Sequence, residues 1–440
     1  MPIIQSVKGT HDLIGEEADA YAYIENVFYA VASTYGYERI DTPILEKTEV
    51  FVRSSGDSSD VVRKEMYTFL DKGDRSLTLR PEITAGVARS IVENKLYVTR
   101  DLPLKFAYCG PAFRYERPQL GRYRQFRQAG VECIGVDSPR ADAECICLAV
   151  SVLAMLGFEN IKVKVNTLGD RSSRAAYREV LTSYFSAHID SMCEDCHERL
   201  RLNPMRILDC KVPEDRPIVD GAPKSSESLT EEADKRFYET LSILNDMGVD
   251  YEIDPTLVRG LDYYGHIVFE VHVAAPSGSD YGAVLGGGHY DSMLSAFGGP
   301  SENDSGVGFA LGVERLYSLM KELGLTDHFK RKVDVYMMPL GEESLDEAFA
   351  LTEQLRGNGF SVEMPFKSGK LGSYFKKAER RGALFGIILG EKEIEEGIVQ
   401  VKNLLTQEQQ SVPIEDLVDR LDEWIDEIED DDHHHEGEEK

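Results

Sequence analysis

Basic residues are scarce in this chain: 49 Lys and Arg stand against 78 Asp and Glu, a formal net charge of -29. Averaged over the molecule, that balance argues against a nucleic-acid partner, because phosphate binding is driven by cationic side chains that displace counterions. No segment approaches the ~20 apolar residues that a bilayer-spanning helix needs. The N-terminus, MPIIQSVKGTHDL, has no basic stretch leading into an apolar run. The expectation is a cytoplasmic protein with no membrane partner. Seven cysteines, an odd number without secretory context, make reduced thiols the default rather than a disulfide framework. The phosphate loop GxxxxGK(S/T) and the zinc-protease motif HExxH are both missing. The GVGFALG run at Gly306 has the wrong glycine spacing for a dinucleotide fingerprint. Any nucleotide chemistry must therefore use another architecture.

What is present is uneven. At 440 residues, with 42% hydrophobic side chains, the chain has material for two or three folded domains. Positive charge gathers at Arg114, Arg117, Arg122, Arg124 and Arg127, and again at Lys367, Lys370, Lys376, Lys377, Arg380 and Arg381. Much of the acid lies after Trp424, and residues 426–440 are expected to be a solvated, disordered tail. His433, His434 and His435 could bind a metal there; a disordered end is the alternative.

Apolar periodicity over Glu16–Tyr35, with Ile24, Val27, Phe28 and Val31 on one stripe, predicts a helix ended by Gly36, and YERIDTP then reads as a strand stopped by Pro43. LKFAYCG, PAFRYE and QFRQAGVECIGV alternate as strands, joined by a basic hairpin loop around Gly121. Polar helical text fills about 170–250, and strand signals return at VRGLDYYGHIVFEVHV and DYGAVLGGGHYDSML. Residues 331–425 alternate strand and helix, which predicts a separate α/β domain.

Several stretches carry chemistry. Arg114 and Glu116 share one strand face, and a planar guanidinium suits phosphate oxygens; Phe126 could stack on a base. The alternative is a solvated hairpin with ordinary surface charge. A buried Arg259 in RGLDYY requires an anionic partner, and Gly286 to Gly288 mark a close backbone approach or a sharp turn. CEDCH supplies Cys193, Cys196 and His197, which with Cys210 could hold a structural zinc, free cysteines being the other reading.

Taken in order, these stretches resemble the histidyl-tRNA synthetase family over nearly the whole chain, from KGTHDL to IVQVKNLL. TPILEKTEVF is similar to class II motif 1, FRYERPQLGRYRQFRQAGVE to motif 2 and GVGFALGVERL to motif 3, while RGLDYY and LGGGHYD resemble stretches peculiar to the histidine enzymes. The resemblance implies an α+β catalytic domain over 1–325 with an antiparallel class II sheet, a helical insertion at about 170–250, and an anticodon-binding α/β domain over 331–425. It implies a homodimer that uses ATP, Mg2+, L-histidine and tRNA(His) to make histidyl-adenylate and then histidyl-tRNA. By the same resemblance, Arg114 grips the ATP α-phosphate, Phe126 stacks on adenine, Glu116 helps hold the base, and Arg315 with Arg122 meets the far end of the triphosphate. Glu82, Thr84 and Gln128 hold the α-amino group; Glu132 and Tyr264, with Tyr263 beside them, bracket the imidazole; Arg259 reaches the histidine carboxylate and the α-phosphate. Arg117 and Gln119 approach the tRNA acceptor end. The chain departs from the family pattern at Arg127, His289 and Ser292. A synthetase-like regulatory subunit of ATP phosphoribosyltransferase shares the fold and is the rival; such paralogues typically lack the anticodon domain and parts of the reactive constellation.

Overall fold

Two ten-residue strands, Leu104–Phe113 and Gln125–Ile134, form the hairpin that the alternating text announced, and they pair antiparallel along their whole length. The computed structural model describes residues 3–56, 59–116, 121–278, 281–326, 329 and 333–438, with side chains described up to residue 428. It divides into two compact units, Met1–Asp327 and His328–Lys440.

In the first unit the hairpin lies inside an eight-stranded sheet. Its order is Glu38–Arg39, Leu104–Phe113, Gln125–Ile134, Gly306–Gly312, Leu285–Tyr290, Tyr264–Val273, Ile161–Thr167 and Tyr251–Ile253. The six central strands are antiparallel to their neighbours, and the short strand at each edge is parallel to the one beside it. Helix Glu16–Thr34 buries Ala20, Tyr21, Ile24, Phe28 and Val31, and ends before Gly36, whose φ of 80° costs a glycine nothing. Val27, at the margin of the stripe, is only half-buried. Helix Pro139–Met155 starts with its proline at the first turn and with Ser138 Oγ accepting the Arg140 N–H, which satisfies a donor that the helix cannot.

Between the strands Ile161–Thr167 and Tyr251–Ile253 the chain is helical, with Arg171–Ser186, Glu194–Leu202, Arg216–Asp220 and Glu231–Asp246. This insertion shares its core with the sheet: Tyr177, Leu181, Phe185, Ile207 and Val219 belong to the same buried cluster as Tyr108, Tyr264 and Tyr290.

The second unit has a five-stranded sheet in the order Val362–Glu363, Val335–Leu340, Phe385–Gly390, Ile398–Asn403 and Gln409–Pro413. Its first three strands are mutually parallel, with helices Leu345–Gly357 and Leu371–Arg380 in the connections, and the last two are antiparallel additions. One correction concerns the C-terminus. The acidic stretch from 426, expected to be disordered, continues as helix to Glu438. Buried Leu417 and Leu421, with Trp424 stacked on Phe385 at 5.7 Å, anchor the first turns. Once these are fixed, each further residue adds one hydrogen bond without a new nucleation cost. The side chains of His433, His434 and His435 lie outside the described ones.

Candidate active site

A strand presents alternate side chains to one face, so Phe126, Gln128 and Glu132 on Gln125–Ile134 point the same way. They open into a cleft of about 790 Å³, and all twelve of the ATP and histidine residues expected above line it. Arg117 and Gln119 fall outside the described residues.

At the floor of the cleft, Glu132 is 1% exposed and accepts three hydroxyl hydrogen bonds: Thr84 Oγ1 at 2.6 Å, Tyr290 OH at 2.6 Å and Tyr108 OH at 3.0 Å. Burial pushes its carboxyl up to about 7, while the three hydroxyls pull the other way and nearby Glu82 adds to the rise. The glycines make room for this arrangement. A Cβ on Gly308 would run into the Glu132 carboxylate, and one on Gly286 into the Arg259 guanidinium. The three consecutive glycines are thus not a turn. They form part of the strand Leu285–Tyr290, whose pairing with Tyr264–Val273 shifts register after Gly288, and close approach is their reason.

Beside Glu132, Tyr263 donates to Glu82 Oε2 at 3.1 Å, and Gln128 Oε1 accepts the Ile83 N–H at 3.0 Å. Glu82 follows Arg80 and Pro81. Arg80 is 5% exposed and donates to the carbonyls of Thr42 at 2.7 Å and Pro111 at 2.8 Å. That buried clasp fixes the segment carrying Glu82 and Thr84. The anion required by Arg259 is Glu270, with which it forms a hydrogen-bonded ion pair. Glu270 sits on the adjoining strand and lines the cleft too.

Toward the cleft mouth, Arg114 donates from Nε to the Pro81 carbonyl at 2.9 Å, and its guanidinium lies 5.4 Å from the centre of the Phe126 ring. Arg122 meets Glu116 at 3.4 Å, and Arg315 donates to the Ala283 carbonyl. Six arginines line this cavity among the described residues, and four of them, Arg114, Arg122, Arg259 and Arg315, are those expected at the ATP and histidine. The aromatic face of Phe126 stands among them, open to stacking on a base. Such a set can clamp a polyphosphate and stabilise charge as it develops on one phosphorus.

Two of the three departures have structural explanations away from the cleft lining, and Ser292 has none. Arg127 points to the opposite sheet face, where Nη1 meets Glu25 at 2.6 Å. His289 does likewise and is fully buried, with Nδ1 2.8 Å from Asp142 Oδ1 and Nε2 3.3 Å from Asp291 Oδ1. Burial alone would lower its titration, but the carboxylates of Asp142 and Asp291 raise it to about 9. Ser292 has φ 64°, a conformation that favours glycine.

Sequence reasoning missed Glu65, Tyr108, Glu270, Tyr290 and Glu314. Tyr290 had a signal, since it is two residues beyond Gly288 on the strand face that meets the cleft. Glu270 had a signal too, since it lies in the stretch VRGLDYYGHIVFEVHV on the same strand as Tyr264, whereas Glu65 comes from another segment, and only the fold brings it in.

Against this geometry, the sequence model of the family described as histidyl-tRNA synthetase matches residues 9–316. The histidine–tRNA ligase of Anoxybacillus flavithermus is 43% identical over 417 residues, covering 95% of this chain and 98% of that one. The chain belongs to the histidyl-tRNA synthetase family. The histidine–tRNA ligase of Listeria innocua is also 43% identical, over 418 residues, with 95% and 98% of the two chains covered. Residues 334–424 match an anticodon-binding domain. Among solved structures, apo histidyl-tRNA synthetase from S. aureus superposes with a TM-score of 0.80 at 36% identity, covering 95% of this chain and 100% of that one. An ATP phosphoribosyltransferase regulatory subunit/histidyl-tRNA synthetase from Bacillus halodurans C gives 0.64 at 22% identity, covering 89% and 99%, a likeness of fold alone.

Proposed function

We infer that the protein joins L-histidine to ATP, forming histidyl-adenylate and pyrophosphate, and then transfers histidine to the 3′ end of tRNA(His). The observation that carries this reading is the convergence of twelve residues, from segments as distant as Glu82 and Arg315, on one cleft.

The chemistry needs no general base, since an ionised carboxylate is already a nucleophile. The site must align it with the α-phosphorus and stabilise the charge that builds there. Arg114 and Arg259 take the α-phosphate, Arg259 also orients the histidine carboxylate, and Phe126 stacks on adenine while Glu116 helps hold it. Arg122 and Arg315 hold the far end of the triphosphate. Glu82, Thr84 and Gln128 receive the α-amino group. Glu132 and Tyr264, with Tyr263 at their side, read the imidazole. A carboxylate buried among hydroxyls and built to pair with a ring N–H would be left partly unpaired by an apolar amino acid, which is a strong basis for rejection.

Mg2+ fits the donor set. Glu65, whose carboxyl is raised by burial and by repulsion from Glu116 while Arg114 opposes the rise, offers a hard oxygen beside the phosphate-clamping arginines. Mg2+ is commonly held by one or two carboxylates together with substrate phosphates. When bound, it would neutralise charge on the triphosphate, and Glu65 would hold it.

Residues 1–325 are the catalytic domain and 331–425 the anticodon-binding domain in this reading. On the latter, Lys367, Lys370, Lys376, Lys377 and Arg380 are exposed, and Phe366 is 90% exposed beside them. Cations interleaved with an open aromatic ring suit a single-stranded RNA loop. Exposed apolar side chains at Ile44, Leu45, Phe69 and Leu70, the last three on the two outer strands of a three-stranded sheet, support a homodimer. No described helix is long and apolar enough to cross a membrane, and we place the protein in the cytoplasm, with tRNA(His). Charging of a tRNA(His) transcript with labelled histidine tests the reading: ATP-dependent esterification supports it, and histidine binding without esterification would replace it with a regulatory role.

A further inference from the structure

The helical insertion brings three thiols and one carboxylate to a single point outside the residues assigned to ATP and histidine. Cys193 precedes helix Glu194–Leu202, Cys196 lies on its first turn, Cys210 follows the turn Pro204–Asp209, and Asp215 precedes helix Arg216–Asp220. Their ligand atoms all lie within 4.8 Å of one another. We propose that Cys193, Cys196, Cys210 and Asp215 form a structural zinc site.

The distances match a tetrahedron around a metal. Two sulfurs, each about 2.3 Å from zinc, stand about 3.8 Å apart, and a sulfur and a carboxylate oxygen about 3.5 Å apart. Cys193 Sγ and Cys210 Sγ are 3.8 Å apart, and Asp215 Oδ2 is 3.5 Å from Cys196 Sγ and 3.1 Å from Cys210 Sγ. Charge points the same way. Asp215 is 1% exposed, and what surrounds its carboxylate is the three cysteines, with no basic side chain in ion-pair contact among the described residues. A buried carboxylate of this kind calls for a cation. A Cys193–Cys210 disulfide would use two thiols and leave that charge uncompensated. Soft thiolates favour zinc over magnesium or calcium, and the hard oxygen argues against copper(I). His197, the residue that completes CEDCH, is exposed and takes no part.

The site has a structural consequence. The metal would tie together both ends of the segment carrying Asn203 and Arg206. Asn203 donates to Asp262 at 2.8 Å, and Arg206 donates to the Arg259 carbonyl at 2.9 Å. The clasp thereby steadies the RGLDYY segment from behind, and its loss raises the KM for histidine more than it lowers kcat.

Elemental analysis of the full-length protein, expressed with zinc and kept reduced, is the test. The expected result is about one zinc per chain, falling below about one fifth in Cys210→Ser and Asp215→Ala. Because misfolding of those variants would also lower their zinc content, cobalt exchanged into the unaltered protein gives a second readout: tetrahedral thiolate ligation produces sulfur-to-cobalt charge transfer and intense visible bands. Metal-free protein after reconstitution, a Cys193–Cys210 disulfide in its place, zinc retained by Cys210→Ser, or cobalt without thiolate bands would each overturn the proposal.

Discussion

Replacing Glu132 with Gln tests the reading of the imidazole pocket in two independent ways. Burial moves this carboxyl from 4.5 to about 7, so the folded protein holds the ionised form at a cost of roughly 3 kcal/mol at pH 8. Its folded titration lies above its unfolded one. The associated stability is therefore complete below pH 4.5 and is lost as pH rises through about 7. Gln cannot ionise and escapes that loss. It does have to turn an amide N–H toward one of Thr84, Tyr108 or Tyr290, at a cost of about 1 kcal/mol that does not vary with pH. The stability of Glu132→Gln relative to the unaltered protein should thus increase between pH 5 and pH 8 by roughly 2–3 kcal/mol, visible as a Tm difference of several degrees between the two pH values. Histidine activation by the same variant should fall by about 100-fold or more, because the carboxylate that accepts from a ring N–H is replaced by a neutral amide. Thermal unfolding at both pH values and pyrophosphate exchange supply the measurements. A stability difference that does not change with pH would refute the burial argument, and near-normal exchange would refute the role in recognition.

Arg259→Ala should abolish adenylate formation by removing a charge at the α-phosphate; near-normal exchange in a folded variant would remove Arg259 from the mechanism. Deleting residues 331–440 should reduce tRNA charging far more than adenylate formation, measured side by side, since anticodon contacts would be lost while the cleft stays intact. His289 titrates at about 9 between Asp142, Asp291 and Arg236, near His266 and Asp137. A raised histidine contributes stability that is complete below about 6.5 and lost as pH passes about 9. His289→Gln should therefore lose roughly 1–3 kcal/mol at pH 6.5 and almost nothing at pH 10, read from chemical unfolding at the two values. Gly308→Ala should reduce histidine activation sharply, because its methyl group would run into the Glu132 carboxylate; unchanged KM for histidine would contradict the close fit.

Much of this was legible in one sequence, for physical reasons. Period-two alternation gave the central hairpin and the shared face of Phe126, Gln128 and Glu132, while the run Gly286 to Gly288 was legible only as a close approach or a sharp turn. A requirement for charge balance predicted an anion for Arg259 but could not say that Glu270 supplies it. That pairing depends on how the irregular segment carrying Arg259 folds back on strand Tyr264–Val273, which no local pattern records. Tyr108 depends on register between strands, and Asp215 on the packing of the helical insertion. The C-terminal helix was missed because composition favours a solvated tail, whereas Leu417, Leu421 and Trp424 anchor its start in the second unit's core.

The most direct test of the central claim is amino-acid-dependent exchange of labelled pyrophosphate into ATP with Mg2+ present, comparing histidine with histidinol and with the other amino acids. Exchange supported by histidine alone is the predicted result; histidine that binds yet supports no exchange would contradict the assignment of this cleft to adenylate formation.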